Sequence, residues 1–177
     1  MTETLDRYAA EARFRSVFSH LSAVAAYARR RGSKDAEAVA AEVMTIAWRR
    51  LADVPRDDPR PWLFATARNL VLADLRRAAS VSANEIADHA APPPDVLELD
   101  PTLGTALRSL SRLDREALLL VAWEDLTPTQ AARSLGINPA AFRVRLLRAR
   151  RRLLAKLEDA SAGRRCEGNA HLDMETT

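Results

Sequence analysis

The chain has 177 residues, 47% of them apolar and 29% charged, which is enough apolar content for small helical cores and too much for a disordered protein. A net charge of only +3 excludes a nonspecific polycation, and the single cysteine, Cys166, excludes an intramolecular disulfide and a cysteine-rich zinc site. No apolar run approaches the roughly 20 residues that cross a bilayer and the first residues lack a signal peptide, so the sequence predicts a cytoplasmic protein without membrane insertion.

Helical spacing of apolar residues predicts a first domain over residues 1–79. The pattern is broken at Gly32 and in the segment VPRDDPRP. Between these breaks, a helix is predicted from about Asp35 to Leu51. Its apolar residues turn inward, and its outer row carries acidic side chains that suit either solvent or a basic protein partner.

The last helix of this domain begins near Arg60 and reads RPWLFATARNLVLADLRRA. Its predicted inner face comprises Leu63, Phe64, Ala67, Leu70, Val71, Leu75 and Ala78. The opposite row comprises Trp62, Thr66, Asn69, Ala73, Arg76 and Arg77. A tryptophan in line with amide and guanidinium groups suits stacking on an unpaired base while arginines hold phosphate. The alternative interpretation, that Trp62 simply covers the neighbouring packed helix, remains open at this point.

Composition changes over residues 80–102, which are acidic and contain three consecutive prolines that cannot continue a helix. This segment is predicted to be a flexible linker. Helical periodicity resumes over residues 103–159, and residues 160–177 are predicted to form a disordered tail. The predicted fold class is therefore all-α, with two small helical domains.

The second domain contains the signals of a helix-turn-helix in the letters TPTQAARSLGINP. Thr127 and Gln130 have the spacing of a capping box, so a short helix should begin there. Gly136 supplies the left-handed residue that ends it, and Asn138 with the following proline begins another helix. Two helices joined by so tight a turn are typical of a DNA-binding unit.

The second helix of this unit is basic and has no acidic residue before Glu158. Its predicted inner stripe is Phe142, Leu146, Ala149, Leu153 and Leu157, widened by Leu147 and Leu154. The remaining face holds Ala140, Ala141, Val144, Arg145, Arg148, Arg151 and Arg152, flanked by Arg143 and Arg150. A basic face is often only solvated, but the absence of interleaved glutamates and the capped turn before the helix favour contact with DNA.

In this order, these segments resemble the bacterial extracytoplasmic-function (ECF) sigma factors of RNA polymerase. AYARRRGSKDAEAVAAEVMTIAWRRL is similar to the family's core-polymerase-binding segment, and RPWLFATARNLVLADLRR to its helix for the minus-ten promoter element. LDREALLLVAWEDLTPTQAARSLGINPAAFRVRLLRARRRL is similar to its domain for the minus-thirty-five element. The resemblance covers roughly Tyr8 to Leu157.

This resemblance implies a role for each segment. The helix with Asp35, Glu37 and Glu42 would bind the clamp helices of the polymerase beta-prime subunit. The loop Asp53–Pro59 would hold a flipped base. The residues expected at the minus-ten element are Arg56, Asp57, Trp62, Asn69, Arg76 and Arg77. Those expected at the minus-thirty-five duplex are Ala140, Ala141, Arg143, Val144, Arg145 and Arg148.

The resemblance also implies partners and one departure. Core RNA polymerase, through its beta and beta-prime subunits, and promoter DNA are the expected partners, and the family often has an anti-sigma factor. Many relatives carry an aspartate and a glutamine where this chain has Ala38 and Ala41, which weakens the polar part of the polymerase contact. An adaptor that has lost polymerase binding is one alternative.

The main alternative is a helix-turn-helix regulator that binds an operator without core polymerase. It explains the second domain equally well, but not the row that contains Trp62 and Asn69. The three histidines lack ligand spacing and no glycine-rich phosphate loop is found, so the sequence predicts no enzyme, metal or cofactor.

Overall fold

The computed structural model describes residues 2–81 and 100–172, and the regular structure of these residues is entirely helical. The helices are α1 (Thr2–Phe18), α2 (Leu21–Arg30), α3 (Ala36–Arg49), α4 (Arg60–Val81), α5 (Pro101–Arg108), α6 (Arg112–Ala122), α7 (Pro128–Leu135) and α8 (Pro139–Leu172). A single 3-10 turn, Leu51–Asp53, follows α3. The predicted all-α class is confirmed.

The first domain packs α2, α3 and α4 together, with α1 against α3. Its fully buried side chains include Val24 and Tyr27 on α2, Val43 on α3 and Leu63 on α4. The sequence prediction missed the break between α1 and α2 at Ser19, where no glycine or proline marks it. There the Ser19 hydroxyl donates a hydrogen bond to the Ser16 carbonyl at 2.7 Å, a local bond of the kind that competes with the helical pattern.

The second domain wraps α5, α6 and α7 around the first half of α8. Its first two helices begin at side-chain caps, because Asp100 accepts from the amides of α5 and Ser111 accepts from the amide of Asp114 in α6. Seven consecutive residues of α6, from Asp114 to Leu120, are buried. This helix therefore lies at the centre of the molecule and is covered on all sides.

Several predicted boundaries differ from the structure. Helix α4 continues to Val81 and α5 begins at Pro101, so each extends two residues into the predicted linker of residues 80–102. Residues 82–99 of that linker lie outside the described part. The prediction of a disordered tail from residue 160 is wrong as far as Leu172, because α8 continues to that residue. The segment contains no proline, and alanine and arginine are good helix formers.

Four leucine and alanine positions predicted to be core are exposed. Leu147 and Leu154 on α8 are 50% and 58% exposed, because neighbouring helices cover only one side of α8, along Phe142. Leu75 is 36% exposed and Ala78 is also exposed, since the end of α4 extends beyond the helices that pack on its first turns. The apolar stripes are therefore narrower than the helical wheel predicted.

The two domains are packed against each other. Helix α4 of the first domain contacts α7 of the second, and buried residues of both domains belong to one continuous apolar cluster. Tyr27 lies beside this contact, stacked on the Phe64 ring at 4.7 Å with the Arg31 guanidinium over it at 3.4 Å. Burial raises the pKa of Tyr27, so its hydroxyl stays protonated and donates a hydrogen bond.

Candidate nucleic-acid and polymerase interfaces

The helix-turn-helix is formed by α7, the turn at Gly136 and α8, as the sequence predicted. The Thr127 amide donates to the side-chain oxygen of Gln130 at 2.7 Å, and the Gln130 amide donates to the Thr127 hydroxyl at 3.3 Å, completing the capping box. Gly136 has φ +66°, the left-handed conformation that favours glycine. Asn138 then caps α8 by accepting from the Ala140 amide at 2.8 Å.

The outer face of α8 is open over most of the predicted DNA contacts. The exposed residues among them are Ala140, Ala141, Arg143, Val144 and Arg148. Small side chains at the start of the helix leave room for close approach to base edges, and the arginines follow along the same face. This arrangement leaves one face of α8 open, with small side chains at its start and arginines along its length.

Arg145 has a different environment from the other predicted contacts. Its guanidinium donates to Asp114 at 3.0 Å, and Arg152 also donates to Asp114, whose side chain is only 2% exposed. A buried carboxylate that accepts from two guanidinium groups orients them both. Asp114 thus positions part of the basic face, a role that sequence spacing could not reveal because 31 residues separate it from Arg145.

The predicted minus-ten row on α4 is partly open. Asn69, Arg76 and Arg77 are exposed, and Arg77 donates to Asp74 one turn earlier. Trp62, by contrast, is half-buried and packs against the apolar core. The packing interpretation of Trp62 therefore has structural support, while part of its surface is still accessible.

The loop before α4 presents Arg56 and Asp57 to solvent, whereas Asp58 is held by its neighbours. One oxygen of Asp58 accepts from the Arg60 amide at 3.2 Å and from its guanidinium at 3.1 Å. The other oxygen accepts from the Gln130 amide group of α7. Partial burial opposes ionisation, but these hydrogen bonds outweigh it and lower the pKa of Asp58. The carboxylate is therefore charged at neutral pH.

The acidic residues predicted to bind polymerase lie on α3 and at its N-cap. Asp35 caps the helix by accepting from the Ala38 amide at 2.8 Å, and Glu37 is paired with Arg29 at 2.5 Å. Glu42 and Ala41 are exposed. Two of the three predicted acids thus already have partners within the domain.

An apolar groove that the sequence pattern did not indicate lies between α1, α2 and α3. Its lining includes Phe14, Phe18, Ala41, Thr45 and Trp48. The Trp48 ring packs on Phe14 in an edge-on contact at 5.0 Å. It nevertheless remains 46% exposed, and Phe18 is 47% exposed. We call this surface the aromatic groove.

Comparison with known proteins identifies the family. The family models for sigma-70 region 2 and sigma-70 region 4 match residues 17–81 and 102–153, which together are more than half of the chain. The RNA polymerase sigma factor NccH of Alcaligenes xylosoxydans xylosoxydans is 29% identical over 157 residues, covering 80% of this chain and 84% of NccH. The chain belongs to the sigma-70 family of RNA polymerase sigma factors, in its ECF subfamily.

Two solved structures share this architecture. The structure of CnrH in complex with the cytosolic domain of CnrY matches with a TM-score of 0.57 and 26% identity, over 82% of this chain and 88% of CnrH. The sigma factor RpoE in complex with the anti-sigma factor NepR from Bartonella quintana matches with a TM-score of 0.61, over 81% of this chain and 95% of that chain. The two sequences are 24% identical, so this match shows the fold alone.

Among the described helices, none is long and apolar enough to cross a membrane. The family assignment favours a sigma factor over an operator-binding regulator.

Proposed function

We propose that this sigma factor binds core RNA polymerase and directs it to promoters by two contacts, α8 on the minus-thirty-five duplex and α4 on melted minus-ten bases. The observation that supports this most strongly is that the chain has two exposed polar surfaces. One is the arginine face of α8, which has no acidic residue before Glu158, and the other is the polar row on α4. A protein with this role acts in the cytoplasm, and bond chemistry belongs to the polymerase.

Helix α8 would read duplex DNA in the major groove. Its first residues would approach base edges and the arginines that follow would contact bases or phosphates. Arg145, held by Asp114, is already oriented, so less conformational entropy is lost when it binds.

Helix α4 and the loop before it would capture bases that leave the duplex. Unstacking costs a few kcal/mol per base, and stacking on an aromatic ring returns about 1–3 kcal/mol. The accessible part of Trp62 supplies such a surface, with Asn69 and Arg76 further along the same helix. Arg56 and Asp57 are free to line the pocket for a flipped base.

Core polymerase would bind along α3. Because Asp35 and Glu37 are engaged within the domain and Ala38 and Ala41 lack polar groups, the aromatic groove would supply much of the binding energy. Aromatic side chains at protein interfaces often dominate affinity. Apolar contact with the aromatic groove would thereby replace the polar contacts that Ala38 and Ala41 cannot make.

We expect Trp48→Ala to weaken binding to core polymerase tenfold or more, because it removes the largest side chain of the aromatic groove. Fluorescence titration of labelled chain with core polymerase measures this. Tyr8→Ala is the matched control, since Tyr8 is an aromatic residue on α1 that is 67% exposed and does not line the groove. Equal affinities for the two variants would show that the groove takes no part in binding.

We expect Arg148→Ala to cost about 1–3 kcal/mol of binding to a minus-thirty-five duplex and to relax preference at one base position, as the loss of a base-edge contact does. Competition binding against a set of singly substituted duplexes measures both effects. Lys156→Ala, two turns further along α8, is the control and should leave the preference unchanged. A uniform loss across all duplexes for Arg148→Ala would assign this arginine to a phosphate.

An anti-sigma factor is a further expected partner. RpoE, which shares the fold, is described in complex with one. Such a partner would mask the polymerase-binding or DNA-binding surfaces of this chain, and its identity would follow from co-purification with the tagged chain.

Size-exclusion chromatography with core polymerase tests the proposal against both alternatives. A sigma factor should elute together with the polymerase. In competition, its affinity for core polymerase should lie within about tenfold of the affinity of a competent relative. An operator-binding regulator or an adaptor without polymerase binding should elute alone. The Ala38→Asp variant serves as a comparison, because it restores an acid that many relatives carry.

A further inference from the structure

Arginine side chains border a small cavity between α2, α4 and α6. The cavity has a volume of about 40 Å³. Of the ten described residues that line it, five are arginines: Arg30, Arg31, Arg68, Arg112 and Arg115. The other five are Glu116 and the apolar residues Val71, Leu72, Leu75 and Leu119. The cavity thus combines an apolar wall with a strongly basic border.

The acids near this cavity neutralise only part of its positive charge. Glu116 accepts from Arg31 at 3.2 Å and from Arg68 at 3.0 Å. Glu124, just beyond α6, accepts from Arg30 at 2.7 Å, and both acids are buried. Two carboxylates thus face five guanidinium groups, and among the described residues no acid other than Glu116 lines the cavity itself. This excess of positive charge favours an anion in the cavity.

The guanidinium of Arg31 is only partly satisfied. Its Nε donates to Glu116, and its Cζ lies over the Tyr27 ring, 3.4 Å from the ring centre. Its two terminal nitrogens are buried without a hydrogen-bond acceptor among the described residues, although one lies 3.9 Å from Glu124, within ion-pair range. The side chain is only 9% exposed, so bulk water does not replace the acceptor. An acceptor in the cavity that Arg31 lines would complete its hydrogen bonding.

The cavity has the size and the chemistry for a small oxyanion. A water molecule needs roughly 10–15 Å³, so the cavity has room for about three waters or for one phosphate group. Guanidinium groups bind phosphate oxygens through paired N–H donors whose geometry matches them. Arg112 is half-buried at the border and has no hydrogen bond or ion pair among the described residues, so its donors are available to a ligand. Leu75, also at the border, is 36% exposed, so a ligand can enter from solvent.

We propose that this cavity binds a small oxyanion, either inorganic phosphate or the phosphate group of a small ester, and that Arg31 and Arg112 supply its main donors. The inference goes beyond the proposed function, because it assigns the chain a ligand that promoter binding does not require. A ligand that binds only the folded chain raises the free energy of unfolding as its concentration rises above the dissociation constant. The oxyanion therefore stabilises the chain as well as neutralising part of the charge around the cavity.

Isothermal titration calorimetry of the full chain at constant ionic strength tests the site. Inorganic phosphate and glycerol phosphate are titrated separately, and at least one of them should bind with one-to-one stoichiometry. The tighter of the two identifies the free ion or the ester as the ligand. Arg112→Gln should weaken this binding about tenfold, because it removes a charged donor group. Arg31→Lys, which keeps the charge but not the paired donors, should weaken it by a similar factor.

Arg133→Gln is the matched control for these variants. Arg133 is exposed on α7 and does not line the cavity, so this change removes the same charge without touching the site. Its affinity for the oxyanion should equal that of the wild type.

Thermal unfolding followed by circular dichroism gives a second readout. The oxyanion should raise the melting temperature of the wild type and of Arg133→Gln more than that of Arg112→Gln. The spectra before heating also show whether Arg31→Lys is folded. If it is not, Arg112→Gln still decides the outcome, because Arg112 makes no hydrogen bond or ion pair among the described residues.

Two results would overturn the oxyanion site. One is the absence of saturable binding of either ligand up to about 20 mM, since weaker binding than this is not specific. The other is an equal affinity of Arg112→Gln and Arg133→Gln, which would indicate attraction to the overall positive charge. Neither measurement uses polymerase or DNA, so its outcome is independent of the proposed function.

Discussion

Glu116→Ala should separate the two domains. The change leaves Arg31 and Arg68 buried without the carboxylate that accepts from both, which costs about 3–5 kcal/mol in comparable buried pairs. Buried side chains pack among the helices within each domain, such as Val24 and Val43 in the first and Phe142 in the second, so we expect opening, which hydrates the arginines, rather than unfolding. Small-angle X-ray scattering should show a radius of gyration that rises from about 16 Å, the value for a compact chain of this length, to above roughly 20 Å.

Glu11→Ala provides the control for this experiment. Glu11 forms an exposed ion pair with Arg7 at 2.9 Å on α1, far from the domain interface, and its loss should change stability by well under 1 kcal/mol. If Glu116→Ala scatters like Glu11→Ala and unfolds at the same urea concentration, the buried charges do not hold the domains together.

Phe142→Ala should unfold the helix-turn-helix. Phe142 is completely buried and lies in the first turns of α8, where α8 packs on α6 and α7. Truncation of a buried phenylalanine costs about 3–5 kcal/mol, most of the stability of a small domain. We expect a corresponding fall in the free energy of unfolding by urea, followed by circular dichroism, and loss of duplex binding.

Leu147→Ala is the matched control on the same helix. Leu147 is 50% exposed, so its truncation should change the unfolding free energy by no more than about 0.5 kcal/mol. The helical wheel assigned both residues to the core. Equal destabilisation by the two variants would support the wheel and contradict the structure.

Sequence predicted best what local chemistry determines. The capping box at Thr127, the left-handed Gly136 and the start of α8 at Asn138 each depend on residues within one turn, and all three are confirmed. The same holds for the start of α3 at Asp35. The widths of the apolar stripes were overestimated, because a helical wheel shows which side of a helix is apolar but not how much of that side neighbouring helices cover. Leu147 and Leu75, which are both exposed, are examples.

The domain interface could not be predicted. Glu116 and its arginines are 48 and 85 residues apart, and a single sequence contains no information about such pairs. One local signal was available: the apolar run around Leu118 predicts a helix buried on all sides, and an acid in such a helix needs a buried partner. The aromatic groove was missed for a related reason, because Trp48 both packs on Phe14 and faces solvent.

Transcription from a promoter library by core polymerase, with and without this chain, tests the central claim most directly. Sequencing of transcript ends should show start sites that appear only with the chain, on templates that share two sequence blocks at fixed spacing. Arg148→Ala should relax the upstream block and leave the downstream block unchanged. If core polymerase produced the same transcripts with and without the chain across the whole library, the assignment of the chain as a promoter-selecting sigma factor would be contradicted.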